Sequence, residues 1–298
     1  MRVTQSMLSN NMLRNLSNSY NKMGKVQNQI ETGKKVTRPS DDPVVAMKGI
    51  GYRTALDKVE QFQRNIGEVN NWLDSSDDAF DKVGSALQRA NELAVKAANG
   101  TTTVDDQEKI KSELDQLRQH IQNIANTKVG DKYIFSGTKT TTAPFDTSAN
   151  PPAYVELNDA AGNPINQGFI KDVEIEVFDG INLKVNTNAI DVFKNIDQMF
   201  QDIKDGTVEF SEAIGKIDKQ MNDILTTRAD IGARQNRVEL MDDRLQSQEV
   251  IATKQMSENE DVDMEKAITE MITQESIHRA ALSVGARIIQ PSLVDFLR

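Results

Sequence analysis

The chain contains no cysteine, so disulfides, thiolate metal sites and cysteine nucleophiles are all excluded. Aromatic residues make up only 5% of it, and apolar residues 38% against 27% charged, a balance that fits long helices with narrow apolar seams better than a thick globular core. The two histidines, His120 and His278, each stand without a second histidine or a thiol nearby, which makes poor metal or catalytic candidates of both. No nucleophile–base pair, metal cluster or phosphate loop is present, so neither a cofactor nor an enzymatic activity is expected. No run of about 18 uninterrupted apolar residues occurs, and no membrane insertion is expected. Arg2, Gln5, Asn10, Asn11 and Arg14 interrupt the first twenty residues, so no cleavable secretory signal is expected, although specialised export routes need none. A net charge of −10 argues against nucleic acid as the main partner.

Proline is scarce and unevenly placed. Of the seven, Pro144, Pro151, Pro152 and Pro164 cluster near the middle, while 44–143 and 165–290 have none. A helix-permissive chain is thus divided by a proline-rich insert.

The helical stretches carry seams. Ile217, Ile224, Ile231, Val238, Leu245 and Ala252 recur every seven residues, with Ile214, Met221 and Met256 on a companion line that also holds Arg228, Gln235, Asp242 and Glu249. So narrow a stripe needs matching stripes from the same chain or from other copies. Gly215 and Gly232 inside this helix suggest close packing against another backbone. Ala55, Val59, Phe62, Ile66, Val69, Leu73, Ser76, Phe80, Val83, Leu87, Ala90, Ala94 and Ala97 alternate spacings of four and three, which predicts one unbroken helix ended by Asn99-Gly100. Asp74, Asp77, Asp78 and Asp81 read as its solvated face, and Trp72 as a packing residue. A third helix starts near Asp105-Asp106, carries Ile110, Leu114, Leu117, Ile121 and Ile124, and is expected to stop at Gly130.

Between 131 and 186 the pattern changes. Tyr133-Ile134-Phe135, Ala153-Tyr154-Val155, 173–178 and 181–185 read as strands, with turns at 158–164 and at Asp179-Gly180. Helix resumes near Asn188, with Ile190, Phe193, Ile196 and Phe200 on one side.

Two breaks bound the terminal arms. In Arg38-Pro39-Ser40-Asp41-Asp42-Pro43 each proline disfavours helix at the residue before it, Pro43 suits a first helical position, and Asp42 is placed to cap it. Near Ser257 the seam changes phase; Ser257 and Glu260 read as a capping box, with Asp261, Asp263 and Glu265 in a first helical turn. This acidic cluster lacks the glycine and ligand register of a calcium loop. Residues 1–40 carry seven bases against one acid, and 258–298 eight acids against four bases, so the two ends are plausible mates. The basic arm reads either as a nucleic-acid arm or as an amphipathic helix with a solvated face; scattered charge and few aromatics favour the second. The contacts expected of the arms are Leu13, Leu16, Tyr20, Met23 and Ile30 on the first, and Ile268, Met271, Leu282, Ile288, Leu293, Phe296 and Leu297 on the last.

Fixing a backbone residue costs about 1–2 kcal/mol, and burying a large apolar side chain returns about 1.5–3 kcal/mol. With about one such side chain in three residues, the arms are expected to order only when neighbouring copies cover them. The expected fold is mainly α: a long antiparallel helical bundle or coiled coil built from the N- and C-terminal segments, with a small β domain inserted in the middle. Its parts are paired terminal arms (1–42 and 258–298), a bundle rod (43–130 and 187–257) and a β-rich insert (131–186).

Met1-Arg2-Val3-Thr4, the break at 33–43, Tyr133-Ile134-Phe135-Ser136-Gly137, Arg228-Ala229-Asp230-Ile231-Gly232-Ala233-Arg234 with Asn236-Arg237, Asp261-Val262-Asp263-Met264 and Gln290-Pro291-Ser292-Leu293-Val294-Asp295-Phe296-Leu297 occur in this order at these distances from the ends. Together they resemble the flagellin superfamily. The Pro-Ser-Asp-Asp-Pro break and the Pro-Ser-Leu ending are more similar to its hook–filament junction members than to filament flagellins. The resemblance implies a non-enzymatic structural subunit whose paired ends form an inner tube, whose bundle forms the next shell and whose insert lies outermost. It implies a homo-oligomeric ring with a hook-associated junction protein on the hook side and flagellin on the filament side. It also implies an extracellular site reached through the flagellar type III export channel, with an export chaperone on the C-terminal segment beforehand. A minor filament flagellin and an intracellular coiled-coil scaffold are the alternative readings.

Overall fold

A computed structural model describes residues 5–99, 103–149, 151–158 and 165–289. The motifs at 1–4 and 290–297, Gly100 and most of the turn expected at 158–164 lie outside the described residues. In chain order the elements are α1 (Gln5–Thr32), α2 (Pro43–Ala98), α3 (Val104–Ala125), β1 (Lys128–Val129), β2 (Lys132–Tyr133), β3 (Phe145–Asp146), β4 (Ala153–Tyr154), β5 (Glu174–Phe178), β6 (Ile181–Lys184), α4 (Ile190–Lys204), α5 (Phe210–Glu260) and α6 (Met264–Ile289). The fold is the mainly helical one expected, with a small β insertion. The strands pair as three separate antiparallel hairpins, β1–β2, β3–β4 and β5–β6.

The chain divides into two compact units, Met1–Lys58 with Gln248–Arg298, and Val59–Ser247. The division falls inside α2 and α5, because both helices continue without a break from one unit's residues to the other's.

In the unit Val59–Ser247 the seam of α2 is buried almost as its spacing predicts, from Val59 to Ala97, with Phe62 half-buried and Trp72 and Leu93 added beside it. Ala55, four residues before this unit begins, is exposed. From α5 the heptad residues Ile217, Ile224, Ile231, Val238 and Leu245 are buried in the same cluster, as are Ile110, Leu114, Ile121 and Ile124 of α3 and Ile190, Phe193, Ile196 and Phe200 of α4. Ile134, Phe135, Tyr154, Phe169, Val177 and Leu183 of the insert join it too. The rings of Phe80, Phe135 and Phe193 meet at centroid distances of 5.0 to 5.9 Å, tying α2, the insert and α4 together.

Several local expectations change. Two polar residues of the α5 companion line bind the acidic row of α2: Arg228 holds Asp77 through two nitrogens, at 2.9 and 3.2 Å, and reaches Asp81 at 2.7 Å, while Gln235 donates to Asp74 at 2.9 Å. Asp74, Asp77 and Asp81 therefore take part in interhelical recognition, while Asp78 stays on the solvated face, paired with Lys82 of its own helix. Gly215 and Gly232 pack against no other backbone; a Cβ at either would meet nothing within 4 Å. Helix α3 stops at Ala125 and not at Gly130, since the side chain of Asn126 both accepts from and donates to the backbone of Phe145, each at 3.0 Å. Gly130 instead takes φ +59 between β1 and β2. Ile134 and Phe135 lie just past β2, fully buried in a turn, where Gly137 (φ +55) lets the chain come so near Gly168 that a Cβ would lie 2.5 Å from its carbonyl oxygen.

Candidate assembly surface

The unit formed by Met1–Lys58 and Gln248–Arg298 has a different physical character. Helices α1 and α6 pack together. Met12 lies against Gly285, Tyr20 beside His278 and Lys34 beside Asp261, so the two run antiparallel. On α1 the covered line is Met12, Leu16, Ser19, Met23, Val26 and Ile30, at alternating spacings of four and three. On α6 it is Ala267, Met271, Gln274, His278, Ala281 and Gly285 at the same spacing. Apart from Met271, small and polar side chains thus form the α6 half of the contact. A Cβ on Gly285 would lie 1.8 Å from Met12 Cε, so the missing side chain is what admits the methionine. Ser19 Oγ and His278 Nδ1 are buried without a hydrogen-bond partner.

The large aliphatic side chains of α6 point elsewhere: Ile268, Ile272, Ile277, Leu282 and Val284 are all exposed, with Ile272 reaching 59%. On α1, Leu13 and Tyr20 are exposed, as are Val44, Met47 and Ile50 at the start of α2. Among the described residues of this unit, only Val26 and Ala267 are buried apolar residues. Of the contacts expected from the sequence, Leu16, Met23, Ile30 and Met271 are half-buried between α1 and α6. Leu13, Tyr20, Ile268 and Leu282 face outward. The side chain of Ile288, and Leu293, Phe296 and Leu297, lie outside the described residues.

The break after α1 is built as a clasp. Asp42 Oδ1 accepts from the amides of Val44 and Val45 at 3.0 and 3.1 Å, capping α2 at Pro43. Asp41 Oδ2 accepts from the Arg38 amide at 3.2 Å, and the Asp41 amide donates back to the Arg38 carbonyl at 2.9 Å, closing the turn. Lys34 and Asp261 form an isolated antiparallel bridge, in which the Lys35 amide donates to the Glu260 carbonyl at 2.6 Å and the Val262 amide to the Gly33 carbonyl at 2.9 Å. Around it Lys34 Nζ binds Asp261 at 2.8 Å and Glu260 at 3.3 Å, and Arg53 binds Glu260 at 2.6 Å. Gly49 makes room for this buried carboxylate; a Cβ there would be 2.5 Å from Glu260 Oε1. Ser257 does not start a helix, because α5 runs through it to Glu260; its hydroxyl meets Asp261 at 2.6 Å, and Asp263 caps α6 by accepting from the Lys266 amide at 3.1 Å. Sequence reading missed Glu260 as the centre of this clasp, since its partners Lys34 and Arg53 are more than 200 residues away. The opposite charge of the two arms was the only available signal.

Burial pushes the Glu260 carboxyl up, but hydrogen bonds from Arg53 and Lys34 outweigh it and hold the group below its ordinary 4.5. The hydrogen bond from Lys34 lowers Asp261 below 3.8, and the bond to Asp261 raises Lys34 above 10.5. The carboxylates therefore stabilise the clasp fully above 4.5 and lose that contribution as pH falls below 4.5 and 3.8 through their lowered folded values. Lys34 contributes fully below 10.5 and loses its share as pH rises through its higher folded value. Amide exchange at Lys35 and Val262, measured relative to a Glu260→Gln control, should lose its extra protection on acidification below this range. A protection ratio independent of pH would remove the clasp from the account.

Among the described residues no cluster of histidine and acid side chains could hold a metal ion, and no helix is long and apolar enough to cross a membrane. The bacterial flagellin N-terminal helical region matches residues 3–140, and the bacterial flagellin C-terminal helical region matches residues 214–297. The chain belongs to the flagellin family. This flagellin-family chain is 28% identical to flagellar hook-associated protein 3 of Escherichia coli (strain K12), over 93% of each chain. It is 26% identical to a flagellin of Halalkalibacterium halodurans, over 94% of this chain and 93% of that one. A solved structure described as a flagellar hook-associated protein of Vibrio parahaemolyticus superposes with a TM-score of 0.62 at 25% identity, covering 74% of this chain and all of that one. The family is structural, and the chain is a non-enzymatic flagellar component.

Proposed function

We propose that the chain is the subunit that joins the flagellar hook to the filament. In this reading it forms a homo-oligomeric ring with the hook-associated junction protein below it and flagellin above. The single observation that carries the reading is likeness to a hook-associated protein along almost the full length of both chains. The exposed aliphatic face of the α1–α6 unit supports it, because a surface of that kind is stable in water only when neighbours cover it. Leu13, Tyr20, Ile268 and Leu282 are its outward contacts in the ring, and Leu16, Met23, Ile30 and Met271 hold the two arms together. Ile288, Leu293, Phe296 and Leu297 are further assembly contacts. The arms, 1–42 and 258–298, are the inner part, the helical rod the next, and the β-rich insert the outer. The subunit leaves the cell through the flagellar export channel without a cleaved signal, its C-terminal segment held by a chaperone beforehand, and works outside the cell.

A minor filament flagellin is the second reading, favoured by the 26% identity to a flagellin over a similar span. Replacing the gene by that of the filament flagellin separates the two. The junction role predicts hooks without filaments and flagellin shed into the medium. Filaments still attached to hooks would exclude that role, and a protein found only in cytosol, absent from sheared flagella, would exclude both readings.

A further inference from the structure

Beside the clasp, one flank of α1 and the loop after it enclose a concavity of about 390 Å³ whose lining includes Tyr20, Lys25, Asn28, Lys35, Arg38 and Asp41. Its charge is not balanced from within. The one carboxylate, Asp41, already accepts from a backbone amide. Lys35 Nζ donates to the carbonyl of Glu258 at 2.8 Å, and the side chains of Lys25 and Arg38 form no ion pair among the described residues. Tyr20, 63% exposed, adds an apolar rim. Glu260 and Asp261 of the clasp are held by Lys34 and Arg53, and Glu31 of α1 accepts from Gln27.

The same unit carries a surface of the opposite kind on the first turns of α6. Asp263, Glu265 and Glu270 stand there exposed with one base, Lys266, and with Thr269 and Thr273, so three carboxylates face a single ammonium and the surface is net negative. Glu265 and Glu270 form no ion pair among the described residues, and the exposed Ile268 and Ile272 lie alongside. Groove and ridge share no lining residue. Each copy therefore offers one of each, a basic groove with an aromatic rim and an acidic ridge with an aliphatic flank.

We infer that the groove of one copy receives the α6 ridge of the next, so that Lys25 and Arg38 of the groove meet Glu265 and Glu270 of its neighbour. Charge complementarity fixes the partner as a second copy of this chain, since the matching surface lies on the chain itself. Two different surfaces in contact make a heterologous, head-to-tail interface, which closes into a ring or continues as a helical array. The inference rests on the ring-forming role proposed above and names the contact that orients its subunits.

Because the chain lacks cysteine, engineered thiols report a single contact. Asn28→Cys and Thr269→Cys are placed on separate copies and expressed together. Oxidation should give a dimer both in sheared flagella and in concentrated purified protein. The dimer should fall about tenfold when the Asn28→Cys copy also carries Lys25→Glu and Arg38→Glu, and recover when the Thr269→Cys copy carries Glu265→Lys and Glu270→Lys. Circular dichroism confirms that these surface variants keep their helices. A dimer insensitive to charge reversal overturns the inference, as does disulfide capture of another flagellar protein by Asn28→Cys. So does the absence of dimer from both preparations while the protein stands at the hook tip. Loss from the hook tip with the dimer retained in purified protein counts against the junction role alone.

Discussion

Removal of residues 1–30 or of 270–298 should abolish incorporation at the hook tip and leave the 59–247 unit folded. Each deletion takes away most of one helix of the antiparallel pair α1–α6 and leaves the other without most of the line of side chains that covers it. That pair has little core to spare, with Val26 and Ala267 its only buried apolar residues among those described. The 59–247 unit keeps its own cluster, from Val59 through Leu245. Far-ultraviolet circular dichroism should therefore lose the signal of the deleted helix and at most that of its uncovered partner, and retain a cooperative thermal transition. Normal filaments on hooks assembled with either truncated protein would show that the arms are not the assembly device. A stricter form of the test is amide exchange on dilute monomer, where protection at Leu16 and Leu282 should be weak. These helices lack the apolar burial that offsets about 1–2 kcal/mol of backbone entropy per residue.

Phe135→Ala should destabilise the 59–247 unit by about 3–5 kcal/mol. Its ring is fully buried, 5.3 Å from that of Phe80 and 5.0 Å from that of Phe193, so truncation leaves a hole between α2 and α4 that neither helix can close alone. Urea unfolding followed by the fluorescence of Trp72, the single tryptophan and itself buried, measures the loss. Gly137 holds the turn that delivers this ring and has no conformational substitute. A change below about 1 kcal/mol would mean that the insert rests on the bundle without sharing its core. The expected loss is large because one residue of a short irregular segment joins parts of the core that are far apart in sequence.

Much of the fold was legible before any coordinates. The four-three alternation of α2 and the seven-residue repeat of α5 marked lines that are indeed buried between Val59 and Ala97 and between Ile217 and Leu245. The break before Pro43 was visible because proline geometry and aspartate capping are local effects. The interhelical role of Asp77 and Asp81 was not visible, because a solvated carboxylate and one awaiting Arg228 look alike along the chain. Gly215 and Gly232 misled for a related reason: glycine permits close approach without requiring it.

At the ends of the chain the division is sharper. Spacing alone determined that both arms are amphipathic helices of opposite charge, since helical period and charge are properties of one strand of sequence. Only tertiary structure decided that Ala267, Gln274, His278, Ala281 and Gly285 face α1 while Ile268, Ile272 and Leu282 face away. How near two helices come depends on the side chains between them, so the small residues of α6 make its closest contact. Hydrophobic pattern reports only that a residue favours burial; whether its own chain or a neighbouring copy provides that burial is settled in three dimensions.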